Sequence, residues 1–124
     1  MPIIKSSSAP AFELPGLRVV GLASPARGAR ETSVWRIALA AGTPGTPHTV
    51  DREEIFIALA GRAVATVGDA THALAAGDAL IVPAGTPFAL ANPHAEPFEA
   101  VAAQPCGGRA RMPDGEPFTP PWAA

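Results

Sequence analysis

The chain has 124 residues, enough for one domain with a single modest core, since a domain of this size buries roughly two-thirds of its unfolded surface. Eleven acidic side chains against nine basic ones give a formal charge of −2, and no basic cluster is present, so the electrostatic footprint of a nucleic-acid binder is missing. No apolar run is long enough to cross a bilayer, one cysteine cannot staple the chain internally, and residues 1–10 lack the apolar stretch of a secretory signal. A cytoplasmic protein with neither a membrane nor a nucleic-acid partner is the expectation.

Fifteen prolines and twelve glycines exclude long helices, because an interior Pro costs about 3 kcal/mol and an interior Gly about 1 kcal/mol. Between these breakers lie short apolar and β-branched stretches, which predict strands at 17–22, 32–39, 54–60, 63–67, 72–74, 79–82, 88–91 and 98–103. Eight short strands suit an all-β domain, a single jelly-roll β-barrel. Twenty-seven of the apolar residues are Ala, so the Val, Leu, Ile and Phe that remain must fill a core sparse in bulk. Residues 1–10 are polar and expected to be a flexible flank, residues 11–106 to form the barrel, and residues 107–124 to be an irregular Pro-rich tail. Phe118 and Trp122 give that tail two aromatic anchors, with which it should pack on the barrel.

Two segments carry most of the functional information. Gly45, Pro47, His48, Val50, Glu54 and Gly61 stand in GTPHTVDREEIFIALAG, and Gly77, Pro83, Gly85, Phe88 and Asn92 in GDALIVPAGTPFALAN. The first resembles the first motif of the cupin superfamily, two His one residue apart followed by Glu, six residues and Gly. The second resembles the second cupin motif, in which a Gly, Pro, Gly frame precedes a His and an Asn. The resemblance implies a jelly-roll barrel, a small-molecule ligand, a homodimer and, in the family, one divalent metal held by three His and the Glu.

This chain keeps His48 and Glu54 but has Val50 and Phe88 where the resemblance would place the other two imidazoles. In a strand, positions 48 and 50 share a face, so Val50 puts a branched apolar group where a ligand would point. One imidazole and one carboxylate make a poor divalent site, so no metal and no cofactor are expected. His72 and His94 read as surface or loop residues, and Cys106 as packing.

Strand alternation groups Glu54 with Phe56 and Ala58, and Phe88 with Leu90 and Asn92. These rows predict an apolar pocket with His48, Glu54 and Asn92 as its few polar groups, and with His48 and Glu54 as an acid/base pair or as a hydrogen bond that merely holds two strands. Arg36 stands alone in the apolar strand SVWRIALA; if the row of Val34, Arg36 and Ala38 faces inward, its guanidinium enters the pocket. Three functions compete: a metal-free small-molecule-binding cupin with His/Glu acid–base chemistry, a metal-dependent oxygenase or isomerase with an altered ligand set, and a non-catalytic sensor or interaction module.

Overall fold

The computed structural model describes residues 3–124. Eleven strands follow in chain order: β1 (Ala11–Leu14), β2 (Leu17–Ala23), β3 (Thr32–Leu39), β4 (Thr49–Val50), β5 (Glu54–Ala60), β6 (Arg62–Val67), β7 (Ala70–Ala75), β8 (Ala79–Val82), β9 (Phe88–Ala91), β10 (Phe98–Pro105) and β11 (Ala110–Arg111). A 3-10 turn at Pro25–Arg27 is the only helical piece among the described residues. Each of the eight strands expected from the sequence is present, with ends within two residues of the expected ones.

Six strands form one antiparallel sheet in the order β1-β2-β3-β10-β5-β8. The opposing layer is built from β7-β6-β9 and the short pair β11-β4. Single pairings of Thr43 with Asn92 and of His48 with Phe88 stitch those two pieces together, so the segment before β4 runs antiparallel to β9. The result is the jelly-roll barrel the strand count implied.

Three strands were not legible in the sequence. β1 is four residues between Pro10 and Pro15, with no β-branched residue to mark it, and it forms because it adds to the free edge of β2. β4 and β11 are two residues each and define one another through Ala110–Val50 and Arg111–Thr49. The tail is therefore not wholly irregular: β11 lies within it, and Ala110 pairs again with Phe118. Beyond that pairing the tail is held by the Pro25–Arg27 turn and β3. The Ala26 N–H donates to the Ala124 carbonyl (3.3 Å), Arg27 Nη2 to the Trp122 carbonyl (3.2 Å) and Ser33 Oγ to the Ala123 carbonyl (3.3 Å).

At the other end, Met1 and Pro2 lie outside the described residues. The remainder of the polar flank makes one turn, closed by the Ser8 N–H on the Lys5 carbonyl, and enters the sheet when the Gly21 N–H donates to the Pro10 carbonyl.

The inward rows of the large sheet position the site. On β3 the buried row is Ser33, Trp35, Ile37 and Leu39, and on β5 it is Glu54, Phe56 and Ala58. Between them β10 turns Ala100, Ala102 and Gln104 inward. Ala102 is paired with Trp35 on one side and Phe56 on the other, and Ala100 with Ile37 and Ala58. These alanines are fully buried core residues, so the centre of the large sheet is built from small side chains between the bulkier rows of β3 and β5, in keeping with a core sparse in bulk. Gly61 makes the sharp β5–β6 connection at φ 75°, and a Cβ there would collide with the Pro97 carbonyl, which explains this motif glycine.

Candidate functional site

A cavity of about 890 Å³ lies between the two sheets. This is within the usual size range of small-molecule sites. Its walls are apolar: Trp35, Ile37 and Leu39 from β3, Phe56 from β5, Phe88 and Leu90 from β9, and Val50 from β4. Phe12 and Leu14 of β1 and Met112, Phe118 and Trp122 of the tail also line it, with Phe12 and Trp122 meeting edge to face at 6.0 Å. No Lys or Arg lines the cavity among the described residues.

The polar groups gather among these walls. Glu54 opens β5 with its side chain in the inward row and is 5% exposed. Burial alone, with no compensating charge or hydrogen bond, pushes its carboxyl up to about 8. His48 precedes β4, half-buried, and its ring packs on Phe88 with centroids 4.4 Å apart. Phe88 in turn meets Phe56 at 5.8 Å. His48 Nδ1 lies 2.9 Å from the Thr46 carbonyl. A carbonyl can only accept, so Nδ1 carries the hydrogen and the neutral ring presents Nε2 as an acceptor.

Gln104 adds a third polar group that sequence reasoning missed. Its Nε2 donates to the Gly108 carbonyl (3.3 Å), leaving Oε1 as a further acceptor. The pairing of Ala103 with Ile55 carries Gln104 to the Glu54 end of the β10–β5 pair. Its signal was available, since Gln104 continues the alternation of Ala100 and Ala102 along the last long strand.

Of the residues singled out from the sequence, His48, Glu54, Val50, Phe56, Phe88 and Leu90 line the one cavity. Arg36 and Asn92 do not. The inward row of β3 is Trp35, Ile37 and Leu39, so Arg36 faces outward, half-exposed, with Nη2 4.0 Å from Glu99 Oε1. Two large apolar neighbours on the alternate face decide that orientation, because turning Arg36 inward would expose Trp35 and Ile37. Asn92 is fully buried but spent on the fold. Its Nδ2 donates to the Leu39 carbonyl (3.1 Å) and the Glu96 carbonyl (2.8 Å), and its Oδ1 accepts the His94 N–H (3.1 Å). It ties β9 to the end of β3 and has no donor left for a ligand. Nor does a His48–Glu54 hydrogen bond hold two strands: the ring bonds through Nδ1 to Thr46, no bond joins its Nε2 to Glu54, and burial is the cause of the Glu54 shift. His72 is exposed on β7, His94 lies in the loop after Asn92, and Cys106 Sγ rests 3.5 Å from Ser33 Oγ.

A search of curated proteins finds no match. The family model for the cupin domain matches residues 35–103, more than half of the chain, and the chain belongs to that family. Solved structures agree on the fold. The polyketide cyclase RemF from Streptomyces resistomycificus superposes with a TM-score of 0.81 at 16% identity, covering 98% of this chain and 88% of its own. A cupin-superfamily sugar phosphate isomerase from Silicibacter pomeroyi gives 0.75 at 18% identity, with 91% and 82% covered. KdgF from Halomonas sp. gives 0.73 at 15% identity, with 84% and 94% covered.

Cupin relatives often bind a metal in the barrel, and the donors here can be tested against that. Val50 and Phe88 bring no donor atom, and the Phe88 ring covers a face of His48. Among the described residues no group of three or more His, Cys, Asp or Glu is placed to hold an ion. Catalytic metal sites ordinarily take three protein ligands, so this donor set does not fit the family's metal.

Proposed function

We propose that the chain is a small-molecule-binding cupin whose cavity works without a divalent metal, with His48 and Glu54 as its acid–base pair. The observation that carries the reading is a buried, uncompensated carboxyl and an imidazole of fixed tautomer lining one apolar cavity of ligand size. At neutral pH the Glu54 carboxyl holds its proton and can give it up, while the Nδ1 bond to Thr46 leaves Nε2 as the acceptor of the neutral His48 ring. A proton donor and an acceptor lining one cavity are suited to moving a proton across a bound ligand. Neighbours on the same barrel include a cyclase and an isomerase by name, but the reading rests on the cavity.

Calorimetry with 2-naphthylmethanol as a neutral apolar probe, with a chelator present, tests it. The expected result is saturable one-to-one binding that the chelator does not change. Val50→Phe, which adds bulk to a wall of the cavity, should weaken binding at least about tenfold. No binding, or binding that the chelator abolishes, would contradict the proposal. His48→Ala with binding retained and turnover lost would mark an enzyme, whereas a sensor has no turnover to lose.

The same reading makes the chain a cytoplasmic homodimer. β8 is an edge of the large sheet, and Ile57, Leu59 and Ile81 stand exposed on β5 and β8. Bare strand edges and grouped apolar side chains call for cover. Sedimentation velocity should give the mass of two chains, reduced to one by Ile81→Glu; a one-chain mass for the unaltered protein would remove the dimer.

A further inference from the structure

Among the polar groups lining the cavity, His48, Glu54 and Gln104 offer acceptor or acid atoms to a ligand, beside the indole N–H groups of Trp35 and Trp122 and the hydroxyls of Thr43 and Thr46. His48 Nε2 is left as an acceptor by the Nδ1 bond to Thr46, and Gln104 Oε1 by the Nε2 bond to Gly108. Glu54, a residue 5% exposed, adds a carboxyl to which no hydrogen bond or ion pair is made among the described residues, its oxygens left open to the cavity. The one other acid on the lining, Glu13, is paired at the rim with Arg18 (2.9 Å). No cationic side chain lines the space, so anionic ligands such as phosphates and carboxylates meet no counter-charge. Around these acceptors stand the faces and edges of Trp35, Phe56 and Phe88, brought together by the Ala102 pairings and by the 5.8 Å Phe56–Phe88 contact.

One uncompensated carboxyl among aromatic walls, with no cationic side chain on the lining, suits a cationic ligand. Resting on the small-molecule reading above, we propose that the cavity takes an organic ammonium ion carried on an aromatic or polycyclic body. The nitrogen pairs with Glu54, and the body lies among Trp35, Phe56 and Phe88, with His48 and Gln104 on the same lining. A primary ammonium has three donors and no acceptor, the complement of those acceptor atoms. Its charge supplies what Glu54 lacks, and the rings add cation–π attraction. In the empty cavity Glu54 neutralises itself by keeping its proton. Binding the cation expels that proton: the O–H bond of Glu54 breaks, the proton goes to buffer, and the carboxylate pairs with the ammonium, so with such a ligand Glu54 serves as ion-pair partner and base rather than as the acid. His48 and Glu13 are the other titratable groups on the lining, and Glu13 already has Arg18.

Three probes of one shape test this by calorimetry at pH 7: 2-naphthylmethylammonium, neutral 2-naphthylmethanol and anionic 2-naphthoate. The ammonium should bind at least about tenfold tighter than the alcohol, and the naphthoate weakest of the three. Repeating the ammonium titration in buffers of different ionisation enthalpy should show about 0.9 proton released per ligand, as a carboxyl near 8 requires. Glu54→Gln should bring the ammonium-to-alcohol ratio down to about one, with alcohol binding reporting that the cavity is intact. If the alcohol binds as tightly as the ammonium, or the ammonium binds with no proton release, the cation proposal falls while the small-molecule cavity stands. If none of the three binds, both fall.

Discussion

Glu54→Gln is expected to stabilise the protein, by roughly 3 kcal/mol at pH 7. The side chain is 5% exposed, and burial raises its carboxyl from 4.5 to about 8. The folded state therefore holds this proton more tightly than the unfolded state. Between pH 4.5 and about 8 unfolding releases it, so the stability Glu54 confers at low pH is lost progressively as pH rises through that window. Gln keeps the shape of the protonated acid and has no proton to lose. The gain should be near zero at pH 4.5, grow with pH and level off above about 8, as read from urea unfolding at several pH values. A variant less stable than the parent at every pH would contradict this account of the site. An expected cost of this size at neutral pH, with no partner to offset it, accords with the role proposed for Glu54 toward a ligand.

Val50→His together with Phe88→His is expected to turn the cavity into a divalent-metal site. Val50 shares the face of His48, and the Phe88 ring already lies 4.4 Å from the His48 ring, so both new imidazoles would be delivered beside His48 and Glu54. Going from two side-chain donors to four should raise zinc affinity on the order of 1,000-fold, about 4 kcal/mol. Without metal the double variant should melt below the parent, since Phe88 is 2% exposed and packs on Phe56. Added zinc should restore the loss, because an ion that binds only the folded state stabilises it. Equal zinc affinity in parent and variant would mean that the parent has a ligand set the geometry does not reveal.

The barrel was legible because its strands are bracketed by Pro and Gly at short intervals and because two spaced motifs agree. The strands that escaped, β1, β4 and β11, are two to four residues long and exist only through their partners, which no local pattern encodes. His48, Glu54, Val50, Phe56, Phe88 and Leu90 were legible from motif spacing and alternation. Arg36 was not, because alternation yields two rows without saying which is inside, and only the bulk of Trp35 and Ile37 decides. Asn92 carried the right polarity for a ligand contact, but its neighbours' free carbonyls claimed it for the fold. The contribution of Phe12, Met112, Phe118 and Trp122 to the cavity depends on how the two chain ends meet, as in the Phe12–Trp122 contact, which lies beyond any local reading.

The protonation of Glu54 bears most directly on the central claim, that an uncompensated carboxyl faces an apolar, metal-independent cavity. Carboxyl carbon shifts of ¹³C-labelled protein, followed by NMR across pH with Glu54→Gln to assign the signal, read it without any ligand. A midpoint near 8 is the predicted result. A midpoint near the ordinary 4.5 would place the carboxyl in water or beside a cation and contradict the account.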